Sequence, residues 1–486
     1  MAFVSITYIL FVSLLFLIYW QVKAKAIRNL ILLVASYIFY GWWDARFLIL
    51  IVASSLLDYY CGRQIERHQD NRQIGKIYLW ISLGFNLGVL GLFKYFNFFI
   101  DSFYVVLDRL AIAPADPVFI NILLPVGISF YTFQTLSYTI DIYRQQLKPT
   151  NSLLEFMTFV SFFPQLVAGP IERAKDLLPQ FNKLQVFDYS EAVAGCQQIL
   201  WGTFKKTAIA DPLGIQIVNP IYNNLTTASA PEIAIATVAF AFQIYGDFSG
   251  YSDIAIGTAK LFGFRLSRNF ARPYLSKNTS EFWRRWHISL SSWFRDYVYI
   301  PLGGNRQGIN RTVANLLITF GLSGLWHGAN WTFVIWGLLN GLFLLPQTIW
   351  RFLARSSRER TQSKDGINYL KNTIDISITF VLICISWIFF RADNLTQAGI
   401  AIQHLFGTYN LIPGLEIAIA IILNPENIIS LGCLSILIAT EISSELNLFK
   451  KLNIARTWRW STWAILLGII MIQSRITASE FIYFQF

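Results

Sequence analysis

Apolar stretches of about 20 residues, the length a helix needs to cross a hydrocarbon core roughly 30 Å thick, recur along this chain. Short basic or Pro/Gly-rich connectors separate them. This recurrence limits the fold more than any other feature, because each such stretch is a candidate transmembrane helix. Composition agrees: 55% of the 486 residues are hydrophobic and 14% charged, against roughly 45 to 50% and about 25% in soluble domains. The bilayer is the expected solvent.

Helical spans are expected at about 3–22, 28–43, 46–60, 77–100, 121–141, 152–168, 192–210, 232–246, 311–327, 331–350, 373–391, 415–441 and 460–475. The first has no positive segment before it and no small-residue cleavage pattern after it, so it reads as an uncleaved span. Lys23, Lys25 and Arg28 follow it, and Arg63, Arg67, Arg72 and Lys76 form a second basic connector. By the positive-inside rule both connectors are cytoplasmic, the nearly neutral 101–117 segment lies outside, and so does the N-terminus. The polar 351–371 loop, with Arg355, Arg358, Arg360 and Lys364, is expected on the cytoplasmic side. Pro125 and Pro164 put helix breakers inside apolar sequence, which marks re-entrant segments as candidates. No repeat or domain-sized linker interrupts the chain, so 1–486 reads as one all-α membrane domain.

The net charge of +11 resides in loops between apolar spans and forms no groove-reading stripe. Nucleic acid is therefore not an expected partner, whereas anionic lipid headgroups and a phosphate-bearing donor are. Cys61, Cys196, Cys384 and Cys433 are far apart, with no C-x-x-C, so neither a disulfide framework nor a structural zinc is expected.

Between Arg265 and Arg306 there are eight basic residues and two acidic ones. Asn278 and Glu281 have the spacing of a capping box, and the helix they open would align Trp283, Trp286, Leu290, Trp293 and Tyr297 on one face. The other face would carry Arg284, His287, Ser291 and Arg295, with Asp296 beside them. Two readings fit. In one, the helix lies in the membrane interface, its tryptophans in the headgroups and its arginines on lipid phosphates. In the other, it rims a cavity in which His287 meets a substrate and the arginines hold donor phosphates.

His327 follows an apolar run and sits about 22 Å along a helix from Thr312. An ionisable residue at that depth is a functional candidate, the other reading being a histidine satisfied by a neighbouring helix. Gly324 and Gly328 would let a second helix come close, and Asn330 is placed to orient the imidazole. A sharp turn at 328–330 would instead bring His327 nearer the interface. Asp247 and Asp253 lie in a polar break and read as supports for the site, with Arg265 or Arg268 as expected partner. His68 and His404 have no chemical context. Phosphate-loop, nucleophile-elbow and metalloprotease motifs are lacking, and no metal is expected.

Two strings carry a resemblance: Phe282-Trp-Arg-Arg-Trp-His-Ile-Ser-Leu-Ser-Ser-Trp-Phe-Arg-Asp-Tyr-Val-Tyr-Ile-Pro-Leu-Gly-Gly-Asn-Arg306 and Gly324-Leu-Trp-His-Gly-Ala-Asn-Trp331. With Pro125–Gln134, Phe163–Pro170 and Gln243–Asp253 they closely resemble the membrane-bound O-acyltransferase (MBOAT) family, specifically the branch of the alginate O-acetyltransferase AlgI. The motifs fall within 120–340, and beyond about 395 only hydropathy matches. The resemblance implies a ring of about 11 to 13 transmembrane helices with re-entrant segments around a thin central waist, His327 in a tunnel and His287 beside it. It implies acylation of a bacterial envelope polysaccharide from the cytoplasmic (inner) membrane, directly or through a periplasmic acetyltransferase partner. The donor is expected to be a thioester, acetyl-CoA or an acyl carrier, with no tightly bound cofactor. A buried neutral histidine suits general-base work, which assigns that role to His327 and donor orientation to His287. D-alanyl or longer-chain transfer on the same fold, and a lipid-linked saccharide transporter, are the competing readings.

Overall fold

The computed structural model describes residues 1–112, 119–120, 123–167, 169–356, 369–407, 411–448 and 456–473. Among them the chain is helix and connecting backbone, without a strand. Six helical stretches are long and apolar enough to cross a membrane: Lys25–Arg67, Arg72–Arg109, Ala230–Leu261, Trp331–Leu353, Tyr369–Arg391 and Pro425–Glu445. Many of their outward residues are apolar; Ile49 is 70% exposed and Trp80 62%. In water such faces would seek cover, whereas in lipid they are already solvated.

Several expected spans differ in form. The first is the 16-residue helix Ile6–Gln21, started by Ser5, whose hydroxyl accepts the Tyr8 N–H. The 415–441 span is two helices, Leu411–Leu423 and Pro425–Glu445, because Asn424 leaves the helical backbone and caps the second one. The 232–246 span extends over Ala230–Leu261, the polar break being absorbed into continuous helix. Leu395–Phe406 is a helix not anticipated at all. At Pro125 the backbone stays irregular until Gly127, whose φ of 77° lies in the left-handed region, and helix Ile128–Tyr143 follows with 14 of its 16 residues buried. At Pro164 the break falls at Phe162, between Leu153–Ser161 and the single turn Phe163–Leu166. Arg358, Arg360, Lys364, the side chain of Arg355 and residues 113–117 lie outside the described residues.

The chain divides into two compact units, one of Met1–Ile199 with Ser252–Ser267, the other of Leu200–Tyr251 with Arg268–Phe486. The first packs Lys25–Asp44, Leu48–Arg67, Arg72–Leu90 and Ile128–Tyr143 around polar as well as apolar side chains. In the second, Gly308–His327 and Trp331–Phe343 form the closest helix pair. A Cβ on Gly324 would strike the Phe333 carbonyl, and one on Gly337 the Phe320 carbonyl, so backbone meets backbone at this crossing. Both candidate histidines belong to this second unit.

Candidate active site

Asn278 starts a helix as its sequence suggests, its side chain accepting the Glu281 N–H at 2.9 Å. Glu281 returns its carboxylate to the Lys277 N–H, one residue before the box position. The helix then runs only from Thr279 to Arg285. At His287 the backbone turns left-handed, with φ 41° and ψ 55°, and a second short helix, Ile288–Phe294, begins. The interruption has a local cause in the chain that runs alongside. Ala271 N–H donates to the Arg285 carbonyl and Ile288 N–H to the Asn269 carbonyl, both at 2.9 Å, while Asn269 Oδ1 accepts from the Ser289 hydroxyl.

The single amphipathic helix expected here is therefore corrected. Trp286 and His287 face inward and are fully buried, whereas Arg284 and Arg295 are exposed. His287 rests edge-on against Phe248, ring centroids 4.6 Å apart. His327, the last residue of Gly308–His327, is 2% exposed. Its ring centroid lies 6.2 Å from that of His287. Trp336 stands 4.9 Å from His327 and Phe390 5.5 Å. Trp387 stacks on Trp336 at 5.6 Å and meets Trp286 at 5.1 Å, which closes an aromatic wall around the pair.

Both ring nitrogens of His287 lack a hydrogen-bond partner among the described residues, and so do the indole N–H groups of Trp283, Trp286, Trp336 and Trp387. Each unmade hydrogen bond in a buried place costs about 1–3 kcal/mol, so several together mark a place built to receive something polar. His287 lies outside the six apolar spans, and burial pushes its imidazole down to about 3, so it is neutral near pH 7 and holds one N–H donor and one acceptor.

The helices that carry the pair also line a cavity of about 1100 Å³, although neither histidine is among the residues of its wall. Trp283, Arg284, Ser291, Arg295, Ser323 and Arg351 are among its walls. Ser323 lies one helical turn before His327, and Ser291 one turn after His287. The arginines are unequal: Arg295 is held by Asp296 at 2.7 Å, while Arg284 donates only to the Ser280 hydroxyl among the bonds described for it.

Residues 142–388 match the membrane-bound O-acyltransferase family. A probable alginate O-acetylase AlgI of Pseudomonas putida is 40% identical over 82% of this chain and 79% of its own length. The chain belongs to this family. A probable alginate O-acetylase AlgI of Pseudomonas aeruginosa is 40% identical over 85% of the chain and 76% of its own length. A peptidoglycan O-acetyltransferase of Helicobacter pylori is 34% identical over 81% and 76%. The protein is thus a multi-pass membrane acyltransferase.

Within this acyltransferase the other expected site residues fall into three places. Asn330 does not reach toward the imidazole. Its oxygen caps Trp331–Phe343 through the Thr332 N–H, and its amide donates to the Asp393 carbonyl. Asp247 meets neither Arg265 nor Arg268. Arg265 pairs with Glu191, Arg268 donates to the Phe270 carbonyl, and Asp247 is bridged by Lys206 at 2.8 Å. Lys206 also meets Asp211 at 2.7 Å, all three side chains being at most 3% exposed. Asp253 accepts from Gln198 at 2.8 Å. The residue after Asp247, Phe248, is the one against His287. Lys206, Phe248, Trp336, Trp387 and Phe390 had not been singled out. Of these only Lys206 had a sequence signal, a charge inside the apolar 192–210 run.

Proposed function

We propose that this acyltransferase moves an acyl group, acetyl in the first instance, from a cytoplasmic thioester to a hydroxyl of an extracytoplasmic polysaccharide such as alginate, directly or through a periplasmic partner protein. The observation that carries the proposal is the pair of buried histidines 6.2 Å apart inside an aromatic wall. The acceptor class rests on the printed names of relatives, two acting on alginate and one on peptidoglycan. A ring of about 11 to 13 helices around a thin waist, in the bacterial inner membrane with the N-terminus outside, belongs to the same proposal.

His327 takes the proton of the attacking hydroxyl as the new O–C(acyl) bond forms. The C–S bond then breaks, and the proton passes to the leaving sulfur. Neutral His287 offers its N–H to the acyl carbonyl oxygen, where negative charge develops in the tetrahedral state. Arg284 and Arg351 at the cavity wall attract donor phosphates, Arg295 being shared with Asp296.

The test is acyl release from acetyl-CoA by purified variants, with monodispersity in detergent as folding control. His327→Ala is expected to lower kcat by about 10² to 10⁴. Near wild-type transfer by a folded His327→Ala, or by His327→Gln if the alanine variant aggregates, removes His327 from the mechanism.

A further inference from the structure

In the unit formed by Met1–Ile199 and Ser252–Ser267, three helices bring six polar side chains together. They are Ser54 and Asp58 of Leu48–Arg67, Ser82 and Asn86 of Arg72–Leu90, and Thr135 and Thr139 of Ile128–Tyr143. Asp58 is fully buried and none of the six is more than 2% exposed. Two of the helices belong to apolar spans, where an ionisable side chain is costly and is retained for a purpose.

The hydrogen bonds have a direction. Ser82 Oγ donates to Asp58 Oδ1 at 2.6 Å and Asn86 Nδ2 to Oδ2 at 2.8 Å. Ser54 donates to Asn86 Oδ1 at 2.7 Å. Since Ser82 has spent its hydrogen, Thr139 supplies the one in their 3.0 Å contact. Both carboxylate oxygens therefore accept, and these bonds offset part of the cost of burying the charged form. Among the described residues no Lys, Arg or His pairs with Asp58; its partners are hydroxyls and an amide. A buried carboxylate of this kind is neutralised by one positive charge, either a proton on its own oxygen or a cation beside it.

The donor set says which charge. It is all oxygen: two from the carboxylate, the hydroxyls of Ser54, Ser82, Thr135 and Thr139, and the Asn86 amide oxygen. Hydroxyls rotate, and the threonines have alternative acceptors in their own helix, the Thr132 carbonyl at 3.1 Å and the Leu136 carbonyl at 3.3 Å, which frees their lone pairs. Hard cations take oxygen ligands. A single carboxylate balances a single charge, whereas a divalent ion would leave a net positive charge buried. We infer that Ser54, Asp58, Ser82, Asn86, Thr135 and Thr139 form a sodium site that ties these three helices together.

The full-length protein in detergent tests this by thermal unfolding in sodium chloride against choline chloride at equal ionic strength, and by binding of radioactive sodium. The wild type is expected to gain a saturable rise in midpoint with sodium, less with potassium, and to retain one sodium per chain. Asp58→Asn is expected to lose both responses while unfolding in choline no earlier than the wild type, because the amide is neutral. Ser82→Ala should weaken sodium binding about 10-fold, as loss of an oriented partner does at metal sites, and it carries the test if Asp58→Asn does not fold. Wild-type protein that neither responds to sodium nor retains it overturns the inference. A midpoint that instead rises on acidification, and only with Asp58 present, identifies a proton as the buried charge.

Discussion

His287 occupies a backbone conformation that a side chain bearing a Cβ rarely adopts, and such strain costs of order 1–3 kcal/mol. The fold tolerates it because Asn269 and Arg285 fix both flanks, and the result is an imidazole aimed inward. Burial also gives His287 a stability signature. Its folded pKa, about 3, lies below the ordinary 6.5, so the unfolded chain binds a proton that the folded one refuses. Stability is therefore fully present above about 6.5 and is lost as pH falls from there toward 3. Glu172, in the loop before Ala174–Phe181, has the opposite sign. Burial raises its carboxyl from 4.5 to about 7, against the Ser267 N–H and hydroxyl bonds that lower it. Its contribution is complete below 4.5 and lost as pH rises through 7. Unfolding midpoints measured across pH 4 to 8 should show a smaller fall on acidification for His287→Ala and a smaller fall on alkalinisation for Glu172→Gln. Parallel curves for either variant and the wild type would remove that residue's assignment.

At the scale of elements, the crossing of Gly308–His327 with Trp331–Phe343 sets where His327 ends up. Gly324→Ala should force the helices apart, destabilise by about 1–3 kcal/mol as overpacking does, and lower transfer as well, since His327 lies one turn on. Unchanged stability and turnover would mean that the helices separate there without consequence. The second element is the π-helical segment Lys205–Ala210, against which Ala230–Leu261 packs so closely that a Cβ on Gly246 would press on the Lys205 carbonyl. Lys206→Met leaves two buried carboxylates facing one another and should cost about 3–5 kcal/mol. Adding Asp211→Asn and Asp247→Asn should recover much of that in a chemical-unfolding series, and a triple variant no better than the single one would show that packing matters here and charge does not. These elements also show what could be read in advance. Asn278 acts within its own turn and the small residue at Gly324 within a pair of consecutive helices, so their roles were visible. The break at His287 was not, because its cause, Asn269, approaches through tertiary contact and the heptad-like pattern of Trp283, Trp286 and Leu290 continues across it. Charge in loops, as at Arg265 and Arg268, is conspicuous, whereas Lys205 and Lys206 inside an otherwise apolar run change its average hydropathy little and do not reveal which carboxylates Lys206 meets.

For the molecule as a whole, the question is why an acyltransferase spans the bilayer many times. A donor bearing phosphates cannot cross lipid, since each charge at the bilayer centre is penalised by several kcal/mol. On the mechanism proposed above, a protein that carries His287 and His327 within its own interior brings donor and hydroxyl to one point, the charged part of the donor staying in the cavity beside Arg284. The consequence is vectorial. In sealed proteoliposomes with a labelled acyl thioester on one face and an oligosaccharide acceptor on the other, the acceptor should become acylated while the thiol product stays on the donor face. Acceptor should not change sides. His327→Ala in the same vesicles separates this from transport: an enzyme loses labelled product and moves nothing, while a transporter continues to carry unmodified saccharide across. Acylation that appears only when donor and acceptor share a face would rule out passage through the protein, and the histidine pair would then serve one side of the membrane alone.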